Sequence, residues 1–347
     1  MKRPSRRALL GYGLAGTALT GGGLAAWAQL QPRRGPLART AITVEAVAIA
    51  SLDPARPSLR RFGELTFRSG LVLRSEADGF GGLSGLWRSP DGREIVAVTD
   101  NAQWLTARLD AKDGRLAGMS EVVLAPVLGA GGEPLRDTAA YDTEALALAD
   151  GLAFVSIERV HEVRSFAWDR DGPLARGEPI PVPDEISRLP ANDSLEALAV
   201  APPGSPLAGR LVAVAERARP GGSTPTRGWV LTGEAPFAFD VARSGDFDVT
   251  DMAFLPSGEL LLLERRFFPW SGVACRMRRI AADALRPDAT IDGPVIFEVD
   301  RSHAIDNMEG LAIHREPGSG ETVLTLVSDD NFSPVQRTLL LEFTLQS

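Results

Sequence analysis

The chain has 347 residues, 44% apolar and 24% charged, enough for a sizeable core in one large domain or two smaller ones. A net charge of −8 without a clustered basic run excludes a surface that tracks a nucleic-acid backbone. The single cysteine, Cys275, excludes an internal disulfide framework and a cysteine-rich zinc site.

Residues 1–28 read as an export signal: a basic start, a Gly/Ala-rich stretch and a small-residue Ala26-Trp27-Ala28 end. Ser5-Arg6-Arg7 followed by Ala8-Leu9-Leu10 resembles the bacterial twin-arginine signal, so a periplasmic or secreted protein is expected. The stretch is poor in Leu, Ile and Val, and no stable membrane anchor is expected after cleavage. Cleavage removes Lys2, Arg3, Arg6 and Arg7 and moves the net charge from −8 to −12. Residues 29–61 are expected to form a lead segment and 62–347 one domain.

From residue 83 onward one pattern recurs: a small or acidic residue, a short apolar run, a turn, and a second apolar run closing on an acid. The copies are LSGLWRSPDGREIVAVTDN (83–101), EALALADGLAFVSIER (144–159), EALAVAPPGSPLAGRLVAVAER (196–217), DMAFLPSGELLLLERR (251–266) and EGLAIHREPGSGETVLTLVSDDN (309–331). Their starts at Ser84, Glu144, Glu196, Asp251 and Glu309 are nearly evenly spaced along the chain. Turns such as Pro90-Asp91-Gly92, Asp150-Gly151 and Pro256-Ser257-Gly258 come too soon for helices, and the second runs are β-branched. An even spacing of this kind, with three or four strands per unit, predicts an all-β propeller of five blades, with six as the alternative. The last unit, from Glu309 to Ser347, is shorter than the others, so segment 62–74 is expected to supply its missing outer strand and close the ring.

In an antiparallel hairpin the first residue of strand one and the last of strand two share an end. Glu144 with Glu158, Glu196 with Glu216, Asp251 with Glu264 and Glu309 with Asp329 should therefore gather at one mouth of the channel, with Asp100 from the first unit. Like charges so placed call for a cation, and calcium with oxygen ligands suits an exported protein. The expected inner ligands are Glu144, Glu196, Asp251 and Glu309, with Asp100, Glu158, Glu216 and Glu264 just outside them. Arg159, Arg217 and Arg265 follow three of the acids and suit a phosphate. The competing reading is a belt of structural carboxylate–arginine pairs.

The pieces GGLSGLW…VTDN, DTEALAL…SIER, SLEALAV…AER and NMEGLAI…SDDNF resemble the bacterial phytase-like family, known as "esterase-like activity of phytase". The resemblance runs from about residue 62 to the end and implies an exported propeller that hydrolyses phosphoric esters. The acid-centred blades also look like those of five-bladed calcium-dependent apyrases. The first unit departs from the pattern with Ser84 where the others have an acid, and the chain lacks the dense Asp motifs of true propeller phytases.

A serine hydrolase is the chief rival, but GGLSGL (81–86) lacks the nucleophile-elbow spacing, and His161, His303 and His314 are the only histidines. RRFFPWSG (265–272) is read either as a loop over the site or as blade packing. The sequence thus points to a monomer that hydrolyses a small phosphoric ester with calcium, with Glu309 as inner ligand and Asp329 or Asp330 positioning the water. A metal-dependent lactonase or carboxylesterase and a non-catalytic calcium-stabilised scaffold remain as alternatives.

Overall fold

A computed structural model describes residues 35–190, 194–217 and 224–346. The export signal expected at residues 1–28 lies outside the described residues. No helix among them is long and apolar enough to cross a membrane.

Five sheets, each with an antiparallel four-stranded core, form a five-bladed β-propeller, and each repeat of the sequence is one blade. From the axis outward, blade 1 has strands Leu83–Arg88, Glu94–Thr99, Gln103–Lys112 and Arg115–Pro126. Blade 2 has Thr143–Ala149, Leu152–Ile157, Glu162–Phe166 and Arg176–Pro179. Blade 3 has Leu195–Val200, Leu211–Ala215, Thr226–Val230 and Phe237–Val241. Blade 4 has Asp248–Phe254, Leu260–Phe268, Gly272–Ile280 and Val295–Asp300.

Blade 5 is built from both halves of the chain. Asn307–Arg315, Thr322–Asp329 and Thr338–Leu345 come from the last unit, and Leu65–Arg74 supplies the fourth strand. That strand pairs antiparallel with Thr338–Leu345 from Leu73↔Thr338 to Leu65↔Leu345, so closure uses backbone hydrogen bonds as expected. The lead segment also joins the propeller. Thr40–Ala41 extends blade 1 along Val123 and Leu124, and Glu45–Ala48 extends blade 5 along Leu71–Arg74. Short parallel pairings lace neighbouring blades: Leu128–Gly129 lies on the outer strand of blade 2, and Thr290–Ile291 on that of blade 3.

Strand alternation sends successive side chains toward opposite neighbours, so apolar residues pack between blades. Five clusters fill the five interfaces. Leu261, Leu263 and Met277 of blade 4 meet Leu311, Leu326 and Phe343 of blade 5, for example. Trp104, Leu146, Val155 and Phe166 fill the space between blades 1 and 2. Small residues let the inner strands approach closely near the acid end. A Cβ on Gly85 would lie 2.3 Å from the Leu146 backbone nitrogen, and one on Gly310 would lie 2.5 Å from the Ser84 carbonyl oxygen.

Leu71, fully buried on the closing strand opposite Leu340, tests the closure. Leu71→Ala should lower unfolding stability by about 2–5 kcal/mol, the cost of deleting a large core side chain. A change below about 0.5 kcal/mol in the unfolding free energy from denaturant titration, typical of a surface site, would remove this strand from the folded ring.

Candidate metal centre and active face

Each inner strand carries a bulge at the same place, where an extra residue opposes a continuous second strand. The register slips between Leu83 and Leu86, Thr143 and Leu146, Leu195 and Ala197, Val249 and Asp251, and Met308 and Gly310. A bulge bends its strand and re-aims a side chain. The residues it carries are Ser84, Glu144, Glu196, Thr250 and Glu309. Just past the facing strand positions stand Asp100, Glu158, Glu216, Arg265 and Asp329. These two sets, with Asp142, Asp248 and Asn307 two residues before the bulge residues, form the mouth of the channel.

On the blade 2 side, carboxylate oxygens of Asp142, Glu144 and Glu158 lie within 4.8 Å of one another, close enough to share one cation. Arg159 borders the group, pairing with Asp142 at 2.7 Å and stacking over the Tyr141 ring at 4.4 Å. Neither Glu144 nor Glu196 accepts a hydrogen bond from another described residue. Asp100 takes the Ser84 hydroxyl at 2.7 Å.

The other half of the mouth already holds a cation. Arg265 donates to Asn307 at 2.5 Å and lies 3.4 Å from Glu216 and 3.5 Å from Glu309. Burial opposes its charge, but Glu309, Glu216, Glu196 and Asp248 outweigh burial and hold the guanidinium firmly protonated. Arg217 joins Glu216 at 2.8 Å to Asp248 at 3.1 Å, and Arg243 also pairs with Asp248. The acids that could hold a metal and the acids paired with Arg265 therefore lie in different halves of one mouth.

Three expected site residues have other duties. Aligning the repeats on their acids placed Asp251 with Glu144; the register places it one residue further, where other blades have Gly85, Ala145, Ala197 and Gly310. There Asp251 accepts the Leu311 backbone N–H of blade 5 at 2.6 Å and its neighbour Met252 N–H at 2.8 Å. It is an inter-blade staple, and the bulge residue of blade 4 is Thr250, which donates to the Met308 carbonyl at 3.1 Å. Glu264, by the same one-residue shift, points between blades and is clamped by Arg276 at 2.7 Å and Arg278 at 2.7 Å. Asp330 accepts from Gly82 N–H at 3.0 Å, Phe332 N–H at 2.9 Å and the Thr338 hydroxyl at 3.0 Å, which ties blade 5 to blade 1 and leaves it unsuited to position a water. Asp329 does lie in the mouth, held by Asn331 N–H at 2.6 Å and near Asn307 at 3.4 Å. Glu309 accepts from Asn307 at 2.6 Å.

Burial first, and neighbouring carboxylates second, hold Asp100, Glu144, Glu196 and Asp329 well above the usual carboxylate range. Burial, with Asp142 and Glu216 adding, pushes Glu158 up to about 8. Asp142 is raised by burial against the pull of Arg159. Sequence reasoning missed Asp142 and Asp248 as members of the mouth, although each stands two residues before a bulge. His161 Nδ1 lies 3.0 Å from the Ser194 hydroxyl. His303 pairs with Asp300 at 3.2 Å, and Cys275 is buried. A groove of about 840 Å³ between blades 1 and 2, lined by Pro90, Asp150 and Gly151, lies at the opposite end of the hairpins from the acids.

The raised carboxylates set a pH dependence. Glu158 titrates near 4.5 in the unfolded chain and near 8 in the fold, so across that window the native state keeps a proton that the unfolded state has lost. Stability in chelator should therefore fall as pH rises from about 5 to 8, and millimolar calcium should oppose the loss. A melting temperature that rises over that range in chelator would contradict this. Asp251→Ala orphans two buried N–H groups and should cost about 2–4 kcal/mol of stability while calcium affinity stays unchanged. A matching loss of calcium affinity, measured by calorimetry, would return Asp251 to the ligand set.

Residues 78–332 match the model of the phytase-like family, described as esterase-like activity of phytase. No curated protein matches the sequence significantly. Among solved structures, the PQQ-bound aldose sugar dehydrogenase of Streptomyces coelicolor is 15% identical, with a TM-score of 0.39, covering 79% of this chain and 97% of that one. A protein described as a 6-phosphogluconolactonase from Bacteroides uniformis is 16% identical, with a TM-score of 0.35, covering 87% and 83%. The repeated acid-led blades and the family match over most of the chain agree: this protein belongs to the phytase-like family.

Proposed function

We propose that the protein is an exported, calcium-dependent hydrolase of small phosphoric esters. The observation that carries this reading is the division of the mouth: Arg265 neutralises the acids of blades 3 to 5, whereas Asp142, Glu144 and Glu158 stand within 4.8 Å of one another, with Arg159 paired to Asp142 at their border. Three such oxygens fit a hard cation, and water and ester oxygens would complete its shell. Calcium held there would neutralise phosphoryl charge and polarise the bond to phosphorus.

The protein's own groups would do the rest. Arg265, a quarter exposed, and Arg159 on the opposite side present guanidinium donors to phosphoryl oxygens, stabilising charge that grows in the transition state. Glu309, paired with Arg265 and Asn307, orients that guanidinium. Glu196, to which no other described residue donates a hydrogen bond, would accept the proton of the attacking water once bound calcium offsets the burial and neighbouring carboxylates that disfavour its ionised form. The water oxygen would bond to phosphorus as the bond from phosphorus to the ester oxygen breaks, and the proton taken up by Glu196 would pass to that oxygen, which leaves as the alcohol; no covalent enzyme intermediate is needed. Phosphate charge would otherwise be repelled by a mature chain of net charge −12.

Calorimetry with calcium and a phosphomonoester assay on paired variants test the assignment. Glu144→Gln should reduce calcium affinity and turnover together by at least about 10-fold, on the scale of losses at the surroundings of metal sites. Glu309→Gln should reduce turnover with a smaller effect on calcium affinity. A wild type that binds calcium yet hydrolyses no ester in a broad panel would leave the binding-scaffold reading in its place.

A further inference from the structure

Arg159 and Arg265 commit their guanidinium groups differently. Arg265 shares its terminal nitrogens with Asn307, Glu216 and Glu309. Arg159 gives its Nε to Asp142 at 2.7 Å, and neither of its terminal nitrogens bonds another described residue. Asp142 contributes one of the three converging carboxylate oxygens, so this guanidinium stands one hydrogen bond away from the candidate cation group. A phosphoryl group on a cation held there would bring a second oxygen within reach of the uncommitted nitrogens, which suit it as a bidentate donor.

The backbone brings these groups together. Asp142 adopts a left-handed φ of 75°, and its carbonyl accepts the Glu158 N–H at 3.0 Å. Arg159 lies in the single turn Glu158–Val160, closed by the His161 N–H on the Glu158 carbonyl at 3.1 Å. Tyr141 thereby meets Arg159, with the guanidinium 4.4 Å from the centre of the phenol ring. Blade 4 repeats the device. Phe247 precedes the bulge residue Thr250 by the same interval as Tyr141 precedes Glu144, and Arg266 follows Arg265 as Arg159 follows Glu158. There the guanidinium is 4.6 Å from the ring. Phenylalanine has no hydroxyl, so the ring face alone accounts for that stack. Phe247 also meets Arg276 at 4.2 Å and is buried in blade packing, whereas Tyr141 is half-buried beside the acids.

A cation in the acid group would repel Arg159 and compete with it for Asp142, so the bond to Asp142 cannot by itself hold the guanidinium in place. The face of an aromatic ring attracts a cation independently of that carboxylate. We infer that Tyr141 is a positioning residue, whose ring holds Arg159 beside the bound cation with its terminal nitrogens open to the phosphoryl group. This rests on the proposed phosphoric ester hydrolysis and adds the residue that aims its anion receptor. Tyr141 acts through Arg159 and through its ring face, and the phenol hydroxyl has no part in the role.

The test uses Tyr141→Phe, Tyr141→Ala, Arg159→Ala and the double alanine variant, all in calcium. Binding of methylphosphonate, which has no ester bond to hydrolyse, is measured by calorimetry beside turnover of a phosphomonoester, and melting temperatures check folding. Tyr141→Ala should weaken phosphonate binding and lower kcat/KM by about 5-fold or more, on the scale of a partly desolvated cation–π contact. Tyr141→Phe should restore both. In the Arg159→Ala background Tyr141→Ala should change neither, a result that a general loss of folded protein would not produce. Calcium should bind Tyr141→Ala no more weakly than wild type, since the guanidinium released there opposes the cation. Independent, additive effects of the two alanines, or a Tyr141→Phe variant as impaired as Tyr141→Ala, would overturn the positioning role. So would a loss of calcium affinity in Tyr141→Ala, or a wild type that binds no phosphonate. Turnover and phosphonate affinity unchanged in Tyr141→Ala would overturn the role and leave phosphoric ester hydrolysis standing. Phosphonate binding that follows the expected pattern in a protein without turnover would sustain the role and end the hydrolase reading.

Discussion

Repulsion among buried carboxylates is the constraint around which the mouth of this propeller is organised. Five bulged inner strands aim their extra residues at one axis, and three of those residues are glutamates. The ends of the second strands add Asp100, Glu158, Glu216 and Asp329. Such a group cannot ionise together in a low-dielectric setting without an opposing charge, which is why most members are held above their usual range. The chain offsets part of the repulsion itself. Blade 4 replaces the glutamate with Thr250 and the second-strand acid with Arg265, turning one fifth of the ring from anionic to cationic. Glu309, Glu216 and Glu196 lean on that guanidinium. Blade 2, not adjacent to it in the ring order, keeps three converging carboxylate oxygens that could hold a cation.

The same substitution explains how blade 4 is tied to blade 5. Other blades place Gly or Ala after the bulge because the neighbouring inner strand lies almost in contact. At that position Asp251 fills the space with a carboxylate and converts a close approach into a buried hydrogen bond to Leu311. Asp330 makes a similar tie between blades 5 and 1. Acids in these repeats thus serve two ends: where they reach the axis they form a group that could hold a cation, and where they point sideways they accept stray N–H groups.

Much of this was legible in the sequence. The period, the turns after Pro90, Asp150 and Pro256, and the short last unit led to five blades closed by the strand that ends at Arg74. Hairpin geometry led correctly to Glu158 beside Glu144. What failed was register. A strand changes face at every residue, so matching Asp251 to Glu144 by charge rather than by the preceding apolar residue moved it from the axis to the blade interface. The markers Leu83, Thr143, Leu195, Val249 and Met308, each one residue before the bulge, would have matched Thr250 and Arg265 instead. Asp142 escaped notice because its left-handed backbone, φ 75°, lies outside regular strand alternation. That Phe267 and Phe268 extend a strand of blade 4 rather than forming a loop depends on how far pairing continues, which composition does not encode.

The central claim is that the mouth is divided between a built-in guanidinium and a bound cation. A crystal structure grown in calcium, with anomalous difference density, tests it most directly. The account predicts one peak in contact with Asp142, Glu144 and Glu158, and Arg265 still bridging Glu216 and Glu309. A peak on the axis between Glu196 and Glu309 with Arg265 displaced, or no peak at saturating calcium, would contradict it.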